Sequence, residues 1–142
     1  MLSLTCKTAV KAVIYLASKY GSGNAGIKEI AGYIDASEHT VGKLLQTLVK
    51  ENLIKSQKGP AGGFYISKEQ LKKPIIAIVE AIDGENAFRE CGLGLSKCSA
   101  THPCPIHHEY KAGRDIIAKL FSRKKIADLC HPVSEGIAHL VG

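Results

Sequence analysis

Hydrophobic residues recur along the first fifty positions with the spacing of helices. Val10, Val13, Ile14, Ala17 and Tyr20 repeat at three- and four-residue steps, which predicts a helix over residues 5–20. Gly21-Ser22-Gly23-Asn24 ends it in a loop. Ile27, Ile30, Ala31 and Ile34 mark one face of a short second helix over 27–34, and Asp35-Ala36-Ser37 reads as a turn. Ser37 is a good N-cap for a third helix, 38–51, whose buried stripe is Val41, Leu44, Leu45 and Leu48. Its opposite face carries Glu38, His39, Lys43, Gln46 and Lys50. The period then changes. Two short β segments, 52–57 and 63–67, flank "KGPAGG" and predict a hairpin. Helix, short helix, turn, helix and hairpin in that order make a winged helix-turn-helix.

Beyond the hairpin, residues 68–83 divide into two short helical stretches at Pro74. Residues 84–103 have no period and read as an irregular loop. A longer helix, about 105–125, follows. Ile106, Tyr110, Gly113, Ile117 and Leu120 recur at steps of four, three, four and three, the spacing of a coiled-coil seam, and Ile116 and Phe121 widen it. Such a seam suits pairing with a second copy more than packing on its own domain, so a homodimer is expected. Residues 126–142 carry no clear signal. The expected fold is mainly α with one small β hairpin. Its parts are a DNA-binding winged helix at 1–75, a connecting helix and cysteine-rich loop at 76–104, and a dimerisation helix with a tail at 105–142.

Charge sharpens this picture. The net charge is +6, and all of the excess lies in the first half: residues 1–75 hold 11 Lys+Arg against 5 Asp+Glu, whereas residues 76–142 hold 8 against 8. A basic winged half joined to a neutral half points to double-stranded DNA as partner. Ser37, His39, Thr40, Lys43 and Gln46 lie where a recognition helix would meet base edges. Lys55, Lys58, Gly59, Pro60, Gly62 and Gly63 form a wing slim enough for backbone amides to approach phosphates. No long apolar run predicts a membrane span, and the N-terminal stretch, broken by Lys7 and Lys11, lacks the pattern of a secretory leader. A cytoplasmic location, with reduced thiols, is the expectation.

The candidate chemistry lies in the second half. Three of the five cysteines, Cys91, Cys98 and Cys104, fall within the stretch that ends at His107. The gaps are wide, unlike the paired C-x₂-C knuckles of a zinc ribbon, and suit a loop wrapped around a larger object. Three thiolates and an imidazole suit an iron–sulfur cluster. Zinc held by the same four residues, or a thiol-only sensor, are the alternatives. Pro105 reads as the first residue of the long helix, which would put Cys104 at its N-cap and His107 in its first turn. His108 could face the site as well, and His102 reads as solvated. Cys6 and Cys130 read as buried apolar residues. An enzyme is disfavoured, because no acid/base pair, phosphate loop or nucleophile with a base partner is legible.

"IKEIA", "LLQTLVKENLIKSQKGPAGGFYIS" and "CGLGLSKC…PCPIH", taken in this order, resemble the BadM/Rrf-two family of winged-helix transcription regulators, in particular its iron–sulfur, IscR- and NsrR-like members. The resemblance covers about residues 1–125. It implies a dimeric DNA-binding regulator, most often a repressor, with Cys91, Cys98, Cys104 and His107 as cofactor ligands. The 4Fe–4S members take a fourth ligand from a partner's N-terminal aspartate. The matching position here is Lys7, whereas His107 matches the histidine of 2Fe–2S members, so the resemblance favours 2Fe–2S over 4Fe–4S. Two positions depart from the pattern. Lys58 stands where an arginine commonly enters the minor groove, and Gly42 where the IscR-like members carry a base-reading glutamate.

Overall fold

α1 (Leu4–Ser18) is apolar nearly all round, with Cys6, Ala9, Ala12, Val13, Ile14, Tyr15, Leu16 and Ala17 buried, as befits a helix surrounded by others. The structure is a computed structural model and describes residues 1–142. α1 starts one residue before its predicted limit because Ser3 caps it, the Ser3 Oγ accepting from the Cys6 N–H at 3.0 Å. α2 (Ile27–Ile34) lays Ile30, Ala31 and Ile34 on α1. Asp35 then takes the left-handed conformation, φ 53°, which turns the chain into α3 (Glu38–Lys50). Ser37 caps α3 as expected, accepting from the Thr40 N–H at 3.1 Å. Val41, Leu44, Leu45 and Leu48 face inward. Each such side chain contributes about 1.5–3 kcal/mol on burial.

The hairpin is shorter than predicted. β1 (Lys55–Gln57) pairs antiparallel with β2 (Gly63–Tyr65), with Ser56 opposite Phe64. Leu53 and Ile54, read as strand, are buried core residues that lead into it. A further antiparallel bridge joins Ala25 to Phe64, so the wing is pinned to the loop before α2. α4 (Lys68–Leu71) and α5 (Ile76–Asp83) flank Pro74 as the sequence predicts. Residues 84–106 form turns without a helix or strand. The architecture is thus mainly helical with one two-stranded hairpin, the winged helix expected from the sequence.

The long helix differs from expectation at its start and in its faces. α6 spans His107–Arg123. Pro105 lies ahead of it, inside a turn closed by the His107 N–H donating to the Cys104 carbonyl at 3.0 Å. Ile106 is the N-cap, and the regular ladder begins only with Tyr110 N–H to Ile106 O at 2.9 Å. Cys104 is therefore not the cap. The predicted seam also divides in two. Tyr110, Arg114, Ile117 and Phe121 lie along the inner side of α6, where Ile117 and Phe121 pack on the small cluster of Cys6, Val79, Ala87 and Phe88. Ile106, Gly113, Ile116 and Leu120 face outward, with Ile116 70% and Leu120 41% exposed.

α7 (Ile126–Ser134) had no sequence expectation, yet it packs on α1 and places Ile126 and Cys130 in the main core. The segment joining α6 to α7 is stitched to the segment joining α4 to α5. Ile75 N–H donates to Lys124 O, and Ile126 N–H to Lys73 O, each at 2.9 Å.

Candidate nucleic-acid interface and cysteine site

α3 projects its polar face away from the core. His39, Thr40, Lys43 and Gln46 are all exposed. The spacing of 39, 43 and 46 keeps them on one side of the helix. The Ser37 hydroxyl is bound to Thr40 Oγ1 at 2.8 Å while it caps the helix, so Ser37 orders this end. Gly42 is engaged differently. A β carbon there would touch the Ile27 side chain at 3.4 Å, so the residue belongs to the close contact of α2 with α3.

The wing stands beside this face. A groove of about 380 Å³ runs between them, lined by Gln46 and Val49 of α3 and by Ser56, Gln57, Lys58, Gly63 and Phe64 of the hairpin. Lys55, Lys58, Gly59 and Pro60 are exposed. The loop is compact because two glycines fit where no other residue does. Gly59 has φ +101°, and a β carbon on Gly62 would stand 2.2 Å from the Gln57 carbonyl oxygen. The Asn24 side-chain amide braces the loop, donating to Gln57 Oε1 and to Ala61 O, both at 3.0 Å. α3, groove and wing therefore form one surface, on which Lys43, Lys55 and Lys58 are exposed.

The cysteine site lies at the N-terminal end of α6. All five cysteines are unpaired thiols. Cys91, Cys104 and His107 are buried, and Cys98 is half-buried. The four predicted donors stand as two pairs. The Cys104 side chain lies next to the Cys91 thiol. Cys98 Sγ lies 3.3 Å from His107 Nδ1. No three of the donors converge on one ion-sized position. Backbone N–H groups of Leu93 and Leu95, followed by the Cys104 side chain and the Gly94 amide, hold the Cys91 thiol below its ordinary pKa despite its burial. Cys6 and Cys130, by contrast, are pushed up by burial, Cys6 to about 12 with Asp83 adding to the effect. Cys91 is thus shifted toward the thiolate, and Cys6 and Cys130 toward the thiol.

His107 and His108 stand edge to face, ring centroids 5.1 Å apart, but differ in exposure. His107 is 4% exposed and points at Cys98, whereas His108 is exposed. His102 is exposed too, as expected. One residue of this site had escaped notice. Arg114 is 5% exposed on the inner side of α6, donating from Nη1 to the Glu90 carbonyl at 2.6 Å and to Cys98 Sγ at 3.3 Å. A charge placed on an otherwise apolar stripe, four residues after Tyr110 and three before Ile117, was the available signal.

Residues 2–132 match the Rrf2 family, described as an iron-dependent transcriptional regulator. The chain belongs to the Rrf2 family. A provisionally named HTH-type transcriptional regulator of Aquifex aeolicus is 31% identical over 131 residues, 91% of this chain and 90% of that one. Among solved structures, CymR of B. subtilis, the global cysteine regulator, superposes with a TM-score of 0.76 at 22% identity, covering 92% of this chain and 96% of that one. T. potens IscR superposes with a TM-score of 0.73 at 20% identity, covering 97% and 91%. Members of this family are transcription regulators, and no helix of this Rrf2 protein is long and apolar enough to cross a membrane.

Proposed function

We propose that this Rrf2 protein is a dimeric DNA-binding regulator, a repressor, whose operator affinity is set by an iron–sulfur cluster held by Cys91, Cys98, Cys104 and His107. The observation that carries the reading is the gathering of these donors as two pairs. A 2Fe–2S unit needs two terminal ligands at each of two irons, and mixed thiolate and imidazole ligation is known chemistry for such a unit. Zinc would need all four donors around one point. The site also offers what an anionic cluster requires: N–H groups directed at the Cys91 sulfur and a buried guanidinium at the Cys98 sulfur. Bound there, the group would supply one-electron redox chemistry and sensitivity to oxidants or nitric oxide.

The chain's own residues would couple this site to DNA. Phe88, three residues before Cys91, packs against Phe121 of α6 with ring centroids 5.4 Å apart. α6 in turn is stitched through Lys124 and Ile126 to Lys73 and Ile75. A shift of the loop would thereby move α6 against the DNA-binding half. In the duplex, Ser37, His39, Thr40, Lys43 and Gln46 would approach bases. Lys55, Lys58, Gly59, Pro60, Gly62 and Gly63 would track the backbone.

Protein purified without oxygen tests the reading. It should be coloured and contain iron, and Cys→Ala at any of the three loop cysteines should bleach it. His107→Ala should alter the spectrum and His108→Ala should not. Colourless protein with stoichiometric zinc would overturn the cluster. A thiol-only sensor is the second reading, favoured by the depressed Cys91 thiol. Metal-free protein whose DNA affinity responds to oxidation of Cys91 would establish it.

A further inference from the structure

Arg114 is buried without a carboxylate partner. The only ion pair within 4.0 Å in the chain joins Lys111 to Asp115, so the acidic neighbour of Arg114 is already engaged. Nη1 is shared between the Glu90 carbonyl and the Cys98 sulfur, and the guanidinium lies 6.0 Å from the centre of the Tyr110 ring. Nε is buried and has no hydrogen-bond partner at all. A buried cation is costly unless an anion compensates it, and a buried N–H without an acceptor adds to that cost. Arginine is rarely kept in such a place for packing alone, because its charge cannot be removed by deprotonation. The one ionisable group that it hydrogen-bonds is the Cys98 sulfur, a thiol when free and a thiolate when it binds metal.

We propose that Arg114 is the resident counter-charge of the cysteine site. It hydrogen-bonds the Cys98 sulfur and, by its positive charge, favours the electron added when a cluster on that sulfur is reduced. This rests on the cluster reading given above. Arg114 is a positioning residue. It ligates nothing, and it acts through Cys98. Hydrogen bonds and positive charge beside a cluster sulfur stabilise the more negative, reduced state and so raise the reduction potential. The Glu90 contact does a second thing. Glu90 precedes Cys91, so one guanidinium ties the backbone beside the first cysteine to the sulfur of the second. The site's charge balance and its loop geometry are thus fixed by one side chain from α6.

Two variants separate charge from mere anchoring. R114Q keeps a hydrogen-bond donor and loses the charge. R114K keeps the charge and loses the planar fork. Iron content and the visible spectrum of anaerobic wild-type protein are measured first, then the midpoint potential of each protein by titration with a chemical reductant. The expected result is a fall in R114Q that changes the reduced-to-oxidised ratio at fixed potential by about tenfold, which is 59 mV for a one-electron couple. R114K should lie nearer the wild type. Iron-free, colourless wild-type protein would sink the cluster reading and this inference with it. A coloured wild type whose potential is unchanged in R114Q, or is shifted equally in both variants, would overturn this inference alone. Should R114Q fail to fold, the Fe–S stretching bands decide by their shift on transfer to deuterated water. A shift present in the wild type and diminished in R114K supports the hydrogen bond to Cys98, and identical shifts overturn it.

Discussion

Gly92 lies flat against the ring of Tyr110: a β carbon built on Gly92 would stand 2.7 Å from the ring. The loop that carries Cys91 can follow this path only because residue 92 has no side chain. Tyr110 belongs to the same inner stripe as Arg114, so the contact holds the loop at the depth where Cys91 meets Cys104. Gly92→Ala should therefore displace the loop while sparing the distant core of α1 and α3. Overpacking of this kind costs about 1–3 kcal/mol. The expected outcome is reduced iron content with a small fall in stability, read by metal analysis alongside denaturant unfolding. Full iron content in Gly92→Ala would show that the loop has another route.

The wing and the recognition helix should respond differently to mutation. Lys58 is exposed at the wing, which the proposed interface lays along the phosphate backbone. Lys58→Ala should weaken binding to operator and random DNA alike and flatten the dependence of log affinity on log salt by about one unit. His39, Thr40 and Lys43 lie on the exposed face of α3. Removing a base contact there should cost about 1–3 kcal/mol and change which sequence is preferred. Titrations at several salt concentrations on both kinds of DNA distinguish the two. An unchanged salt slope in Lys58→Ala would remove the wing from the phosphate backbone.

The outward stripe of α6 should be a subunit interface. Ile106, Ile116 and Leu120 are exposed along one side, with Gly113 between them allowing close approach. Ile116→Glu with Leu120→Glu places charge in that stripe without touching the inner one. The double variant should sediment as a monomer and lose tight operator binding, since each half-site then binds alone. Sedimentation velocity decides it, and a dimer that survives both charges would move the interface elsewhere.

Stability should fall on the alkaline side. Burial, together with the hydrogen bond from Tyr15 Oη to Glu29 Oε2 at 2.7 Å, pushes the Tyr15 hydroxyl from 10.0 up to about 12. An acid whose folded value is raised favours the folded state while it stays protonated. That contribution is complete below pH 10.0 and is lost as pH rises through about 12. The buried Cys6 thiol acts in the same sense, from 9.0 to about 12. Tyr15→Phe should shallow the decline in unfolding free energy over this range, measured by denaturant titration at each pH.

The α1–α3 core, the Ser37 cap and the hairpin were legible in the sequence because each is specified locally. Three- and four-residue spacing sets which side of a helix is apolar, a capping hydroxyl acts three residues away, and a glycine-rich loop between short β segments has few conformations open to it. The clustering of Cys91, Cys98, Cys104 and His107 was visible for the same reason. α6 was read less well. Its apolar residues form two stripes, and spacing gives their angles around the helix but not which stripe meets the body of the protein. Pro105 satisfies the requirements of a first helical position and of a turn equally, and Ile106, with φ −112° and ψ 11°, decided for the turn. The place of α7 in the core depends on α1, more than a hundred residues earlier. The burial of Arg114 depends on a carbonyl and a sulfur 24 and 16 residues away along the chain. Sequence determined the elements as far as α5 and the clustering of three cysteines ahead of His107. Only the tertiary structure decided the neighbours of Arg114 and His107, because those contacts are made between segments whose local patterns carry no information about one another.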